Sequence, residues 1–106
     1  MAKINIGYGK EQYVLEYDRE SVEYMINRGL TRDEIVNNPF SYPDLFYGAF
    51  RKHHPFVAKK TTDKIWEEIS GKEQLVSALI EMYAAPINAL ISDPEEQGNA
   101  TWEINE

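Results

Sequence analysis

The sequence contains no cysteine, only two histidines and, after Lys72, no lysine or arginine at all. The first absence excludes a disulfide framework and any thiolate metal site. The second leaves too few nitrogen ligands for a metal centre, and His53 and His54 are adjacent, so on a helix they point about 100° apart and cannot converge on one ion. No apolar run of signal-peptide or membrane-spanning length is present, and Met1-Ala2-Lys3 leads directly into strand-like alternation. The expectation is a cytoplasmic protein with no membrane partner, no metal and no cofactor.

What is present is a chain of 106 residues, 42% hydrophobic and 12% aromatic, with a formal net charge of −7. That is enough chain for one domain with one modest core. The charge is unevenly placed. Glu73, Glu81, Asp93, Glu95, Glu96, Glu103 and Glu106 have no cation among them, whereas Arg51, Lys52, Lys59, Lys60 and Lys64 form a basic group mid-chain with only Asp63 against it. Overall acidity argues against binding nucleic acid, where affinity comes largely from phosphate neutralisation. The basic group suits an acidic protein surface, including the C-terminal third of a second copy.

Alternation of Ile4, Ile6 and Tyr8, then of Tyr13, Leu15 and Tyr17, with glycines between, predicts an antiparallel hairpin over 3–17. Asp18 is placed to cap a helix carrying Val22, Met25 and Ile26, which Gly29 stops. Thr31-Arg32-Asp33-Glu34 reads as a capping box stapled by Leu30 and Ile35, and Asn38-Pro39 ends that helix early. A third helix opens at Pro43 and places Phe46, Ala49, Phe50 and His53 on one face until Pro55. On it, His53 is expected at the core edge, with Arg51, Lys52 and His54 facing the negative end of the helix dipole.

Thr61-Thr62-Asp63 is read as opening a fourth helix with Ile65, Trp66 and Ile69. Ser70-Gly71-Lys72-Glu73 is read as a second capping box before the longest helix. That last helix is apolar over more than one stripe, through Leu75, Val76, Leu79, Ile80, Met82, Tyr83, Ile87, Leu90 and Ile91. It is either the central core helix or one that turns part of its surface to a partner. Pro86 is expected to kink it or to end it at Ala84-Ala85. The fold class is therefore α+β, mostly helical: a two-stranded hairpin followed by four to five helices in one domain over 1–92. Residues 93–106 are expected to form an acidic, flexible tail carrying Trp102 and Ile104.

Chemistry-bearing patterns are missing. Gly7-Tyr8-Gly9 lacks the third glycine and following helix of a phosphate loop, and neither a nucleophile elbow nor a zinc-protease motif occurs. Glu67-Glu68 and Glu95-Glu96 are adjacent pairs, which do not face each other as a carboxylate dyad would. No catalytic residue is assigned, and a non-enzymatic protein is expected.

Taken in order, the hairpin KINIGYGKEQYVLEYD, the segment SVEYMINRG, the helix PDLFYGAFRKHHP, the segment KKTTDKIWEEIS and the long helix EQLVSALIEMY form a pattern over residues 3–92. This pattern resembles the small tail assembly chaperones of long-tailed phages and prophages, and related phage-like proteins without assigned activity. The resemblance implies a non-enzymatic protein in the bacterial host cytoplasm that self-associates. It also implies a role in keeping the hydrophobic tape measure protein soluble while tail tube protein polymerises around it. On that reading Phe46, Phe50, Leu79, Met82, Tyr83 and Ile87 are the expected partner-binding set, and Arg51, Lys52, Lys59, Lys60 and Lys64 the charged contact. The other reading is a small acidic adaptor or inhibitor that covers a host protein.

Overall fold

The computed structural model describes residues 2–93 and 98–105. Strands β1 (Ile4–Tyr8) and β2 (Glu11–Leu15) pair antiparallel, with Ile4 opposite Leu15 and Tyr8 opposite Glu11. Five helices follow: α1 (Arg19–Asn27), α2 (Arg32–Asn37), α3 (Tyr42–Phe50), α4 (Lys59–Glu68) and α5 (Lys72–Asn88), with a short 3-10 turn, Pro39–Ser41, before α3. The architecture is α+β and mostly helical.

Local signals set the first helices. The Asp18 carboxylate accepts from the Ser21 amide at 2.8 Å, and the Ser21 hydroxyl accepts from the Asp18 amide at 2.9 Å, which closes a reciprocal cap on α1. At its other end Gly29, with φ of 100°, lets the Leu30 amide reach the Met25 carbonyl and the Gly29 amide reach that of Ile26. This six-to-one, five-to-two pattern is a Schellman stop, and Met25 and Leu30 are both buried beside it. Thr31 caps α2 by accepting from Glu34, but the Glu34 carboxylate turns to the Asn38 side chain rather than back to the cap.

Four local expectations are corrected. Helix α3 ends at Phe50 and continues as a turn, because the Arg51 amide bonds to the Gly48 carbonyl and tightens the last turn ahead of Pro55. Helix α4 begins at Lys59, and Thr62 lies buried inside it with its hydroxyl donated to the Lys59 carbonyl, so the threonines do not cap it. Gly71, in the left-handed region, stands before α5 where Ser70 was expected, and no side chain caps that end. Pro86 does not end α5. It removes one donor only, and the Ala89 amide again bonds to the Ala85 carbonyl at 3.0 Å.

The core lies where the hairpin, α1, α3, α4 and α5 meet. Leu15, Leu45, Phe46, Ala49, Phe50, Ile65 and Leu79 are completely or almost completely shielded. Phe46 packs edge-on to Phe50 and tilted against Trp66, and Tyr17 packs edge-on to Tyr83. A side chain at Gly48 would meet Met25 at 3.0 Å, so the missing Cβ is what lets α3 approach α1 this closely. Buried tyrosine hydroxyls find partners: Tyr17 donates to the Leu45 carbonyl and Tyr83 to that of Leu30. Burial raises both phenols, that of Tyr83 to about 12.

Beyond α5 the chain leaves helix. Residues 98–105 adopt no helix or strand, and Trp102 and Ile104 are exposed. Of the acidic tail expected over 93–106, residues 94–97, with Glu95 and Glu96, and Glu106 lie outside the described residues. Among the described residues no helix is long and apolar enough to cross a membrane.

Candidate functional site

The expected apolar partner set does not form one surface. Phe46, Phe50, Leu79, Met82 and Tyr83 are core residues: α3 carries the first two inward, and α5 turns the last three toward α1 and α3 while Leu75, Val76 and Ile80 stay half-buried. Ile87 alone of the six is only half-buried, and it still packs against the core. It lies in a groove of about 310 Å³ between α1 and the end of α5, lined by Arg19, Val22, Glu23 and Ile26 on one side and Pro86, Ile87 and Leu90 on the other. Leu90 is 58% exposed and Ile91 88% exposed. The most exposed aliphatic side chains of this region, Leu90 and Ile91, thus lie just past the end of α5 rather than on the face the sequence assigned to a partner.

The five expected cationic contacts also divide. Lys52 forms a salt bridge with Glu16 at 3.0 Å. Lys59 sits between Asp44 at 3.1 Å and Asp63 at 2.9 Å, and those carboxylates oppose the effect of its burial and hold its ammonium above the ordinary lysine range. Lys60 and Lys64 are exposed on α4 and form no salt bridge among the described residues. The Arg51 guanidinium lies 3.9 Å from the centre of the Tyr24 ring and donates to the Tyr47 hydroxyl at 3.2 Å.

The histidines exchange the roles expected of them. His54 is half buried, packs edge-on to Tyr13, and accepts the Val14 amide on Nε2 at 2.9 Å, so its proton is carried on Nδ1. His53 faces outward and hydrogen-bonds the Glu16 carboxylate at 2.8 Å. Glu16 is only 3% exposed, and its amide donates to the Ala49 carbonyl at 3.0 Å. The hydrogen bond from His53, followed by that from Lys52, pulls the Glu16 carboxyl down to about 2. Together these contacts cover the free edge of β2 with the end of α3, which blunts it as a template for another strand. Among the described residues no group of three or more histidines and carboxylates is placed to hold a metal ion.

A second concavity lies between α1, α2 and α3. Its volume is about 500 Å³, and Tyr24, Arg28, Phe40, Asp44, Tyr47 and Lys59 are among its walls. Phe40 at its rim is 88% exposed. Arg28, at the end of α1, also lies over the Tyr24 ring, 4.5 Å from its centre, so one ring carries two guanidiniums.

A family model described as a domain of unknown function, DUF5055, matches residues 1–105. The chain belongs to the DUF5055 family. No curated protein and no solved structure matches it. The DUF5055 match spans the hairpin, all five helices and the segment that bears Trp102, so the two concavities and the tail belong to one family unit.

Sequence reasoning missed both the α1–α5 groove and the Tyr24 cluster of this DUF5055 chain. The groove had a signal: Val22 and Ile26 stand at helical spacing on α1, and Leu90 and Ile91 continue the apolar pattern of α5 past Pro86. The Tyr24 cluster had half a signal: Arg28 stands four residues after Tyr24 at the end of α1, whereas Arg51 is distant in sequence and reaches the ring only because α1 and α3 cross.

Proposed function

We infer that this protein is a non-enzymatic tail assembly chaperone of the long-tailed phage type, binding apolar segments of a tape measure protein in the groove between α1 and the end of α5. The observation that carries the reading is the groove itself. Its α5 wall of Pro86, Ile87 and Leu90 is apolar, its α1 wall sets Val22 and Ile26 between the charged Arg19 and Glu23, and exposed Leu90 and Ile91 lie at its α5 end. An apolar concavity beside exposed aliphatic side chains suits a hydrophobic client. The absence of any cation after Lys72 keeps that end of the molecule strongly negative, which disperses a complex with a poorly soluble client.

Co-expression with candidate tape measure proteins, followed by size-exclusion chromatography with light scattering, tests this. The expected result is a soluble complex with the natural chain and loss of client solubility with the Leu90→Ser, Ile91→Ser double variant. Client solubility unchanged by the natural chain would overturn the reading and favour the acidic adaptor, as would a double variant that works equally well.

A further inference from the structure

We propose that the outer edge of β1 is a strand-addition site and that its occupant is the chain's own C-terminal segment, residues 100–105, with Trp102 and Ile104 turned toward the cavity between β1 and α5. In an antiparallel pair the residues alternate between exchanging both backbone hydrogen bonds with the partner strand and pointing both groups away from it. The Val14 amide reaches His54 and the Glu16 amide reaches Ala49, so these two residues face outward from β2. Asn5 stands opposite Val14 and Gly7 opposite Gln12, so their amides and carbonyls face outward from β1 in the same way. Among the described residues no hydrogen bond satisfies them, because the sheet has two strands and the end of α3 covers only the β2 side. An edge left open like this is a template for a further strand.

The tail carries the matching pattern. Ala100, Trp102 and Ile104 alternate with Thr101, Glu103 and Asn105, which is the period of a strand with one apolar face. On β1, Ile4, Ile6 and Tyr8 pack toward the core while Asn5 and Gly7 are exposed, so a strand laid on this edge sets one of its own faces beside Ile4 and Ile6. A cavity of about 320 Å³ lies there between the start of β1 and α5, with Ile4, Ala78, Met82 and Ala85 among its walls and Lys3 and Glu81 as its charged members. The two alanines of α5 leave it room for an aliphatic or indole side chain. Trp102 is 84% exposed and Ile104 73% exposed, so both have apolar surface to bury.

Reach selects the chain's own tail. Ala85 borders the cavity, and the helical turns beyond it run to Ser92, about 10 Å further on. Residues 93–99 span up to about 23 Å, against about 17 Å for the whole of β1. The segment therefore reaches this edge from its own α5. A tether of that length holds it at an effective concentration of the order of millimolar, which a second copy in dilute solution does not match. In the structure residues 98–105 are neither helix nor strand, so edge and tail stand apart and the docked form is a second conformation of the same chain. No client is required for it, so it stands or falls separately from the chaperone reading.

Hydrogen exchange of the full chain, followed amide by amide by NMR with no other protein present, tests the proposal. In the natural chain the Asn5 and Gly7 amides are expected to exchange at least about tenfold more slowly than in the Trp102→Ser, Ile104→Ser double variant, while the Val14 and Glu16 amides, which report an intact hairpin, stay unchanged. The same difference is expected in dilute and in concentrated protein. Asn5 and Gly7 amides that exchange equally in the two proteins overturn the proposal. Protection that appears only in concentrated protein overturns it too, because the added strand then comes from a second copy. A readout that needs no substitution stands beside this one: nuclear Overhauser contacts from the Trp102 or Ile104 side chain to Ile4, Ile6 or Met82 are expected in the natural chain, and their absence overturns the proposal.

Discussion

Tyr83 of α5 donates its hydroxyl to the carbonyl of Leu30 at 2.7 Å, joining the longest helix to the Schellman stop of α1 across 53 residues of sequence. The ring is buried and packs edge-on to Tyr17, so the residue is at once a core side chain and the partner of an otherwise enclosed carbonyl.

Two substitutions separate those roles. Tyr83→Phe keeps the ring and strands the Leu30 carbonyl, for an expected loss of about 1–3 kcal/mol. Tyr83→Ala also opens a cavity, and about 3–5 kcal/mol is expected, as for other large aromatic truncations. Urea unfolding of the three proteins checks the ranking. Equal stability of Tyr83→Phe and the natural chain would show that the hydrogen bond contributes nothing.

Glu16 predicts how stability responds to acid. Its folded carboxyl titrates near 2 against an ordinary 4.5, so the folded state binds the proton less readily than the unfolded chain. The stabilisation is complete above about pH 4.5 and is lost as pH falls toward 2. Thermal midpoints measured across that range should fall more steeply for the natural chain than for Glu16→Gln. Parallel curves would remove Glu16 from the account of acid sensitivity.

His54 guards the free edge of β2. In His54→Ala the Val14 amide loses its acceptor, and its hydrogen exchange should accelerate by at least about tenfold while amides deep in α3 change little, since local opening differs between elements. Unchanged exchange at Val14 would mean that the edge is covered by other groups.

The closed core and the open end of α5 should answer oppositely to the same chemistry. Leu79→Ala is expected to cost about 2–5 kcal/mol because Leu79 is fully enclosed, whereas the Leu90→Ser, Ile91→Ser pair should cost under about 1 kcal/mol. Denaturant midpoints with unchanged slopes check both values. A large loss from the second pair would show that those side chains pack.

The hairpin, the Asp18 cap, the Gly29 stop and the early end of α2 at Asn38-Pro39 were all legible in the sequence, since each rests on residues a few positions apart. The facing of α5 was not. Leu79, Met82, Tyr83 and Ile87 all continue one apolar pattern, and only the positions of α1 and α3 determine that the first three are enclosed and the last is half open. The histidines failed for the same reason. Helical spacing assigned His53 to the core edge, but α3 ends at Phe50, and the turn that follows swings His54 to Val14 and His53 to Glu16. Glu16, an acid set between Leu15 and Tyr17, was the one local hint that a buried charge needed partners.

The groove between α1 and the end of α5, proposed above to hold apolar client segments, can be probed directly. Because the chain has no cysteine, a single Leu90→Cys substitution carries one photo-crosslinker at a defined place, with Lys64→Cys on the exposed face of α4 as the comparison. Illumination of each labelled protein in complex with a tape measure protein is predicted to join client to position 90 and not to position 64. Crosslinking from position 64 alone, or equally from both, would contradict the groove as the client site.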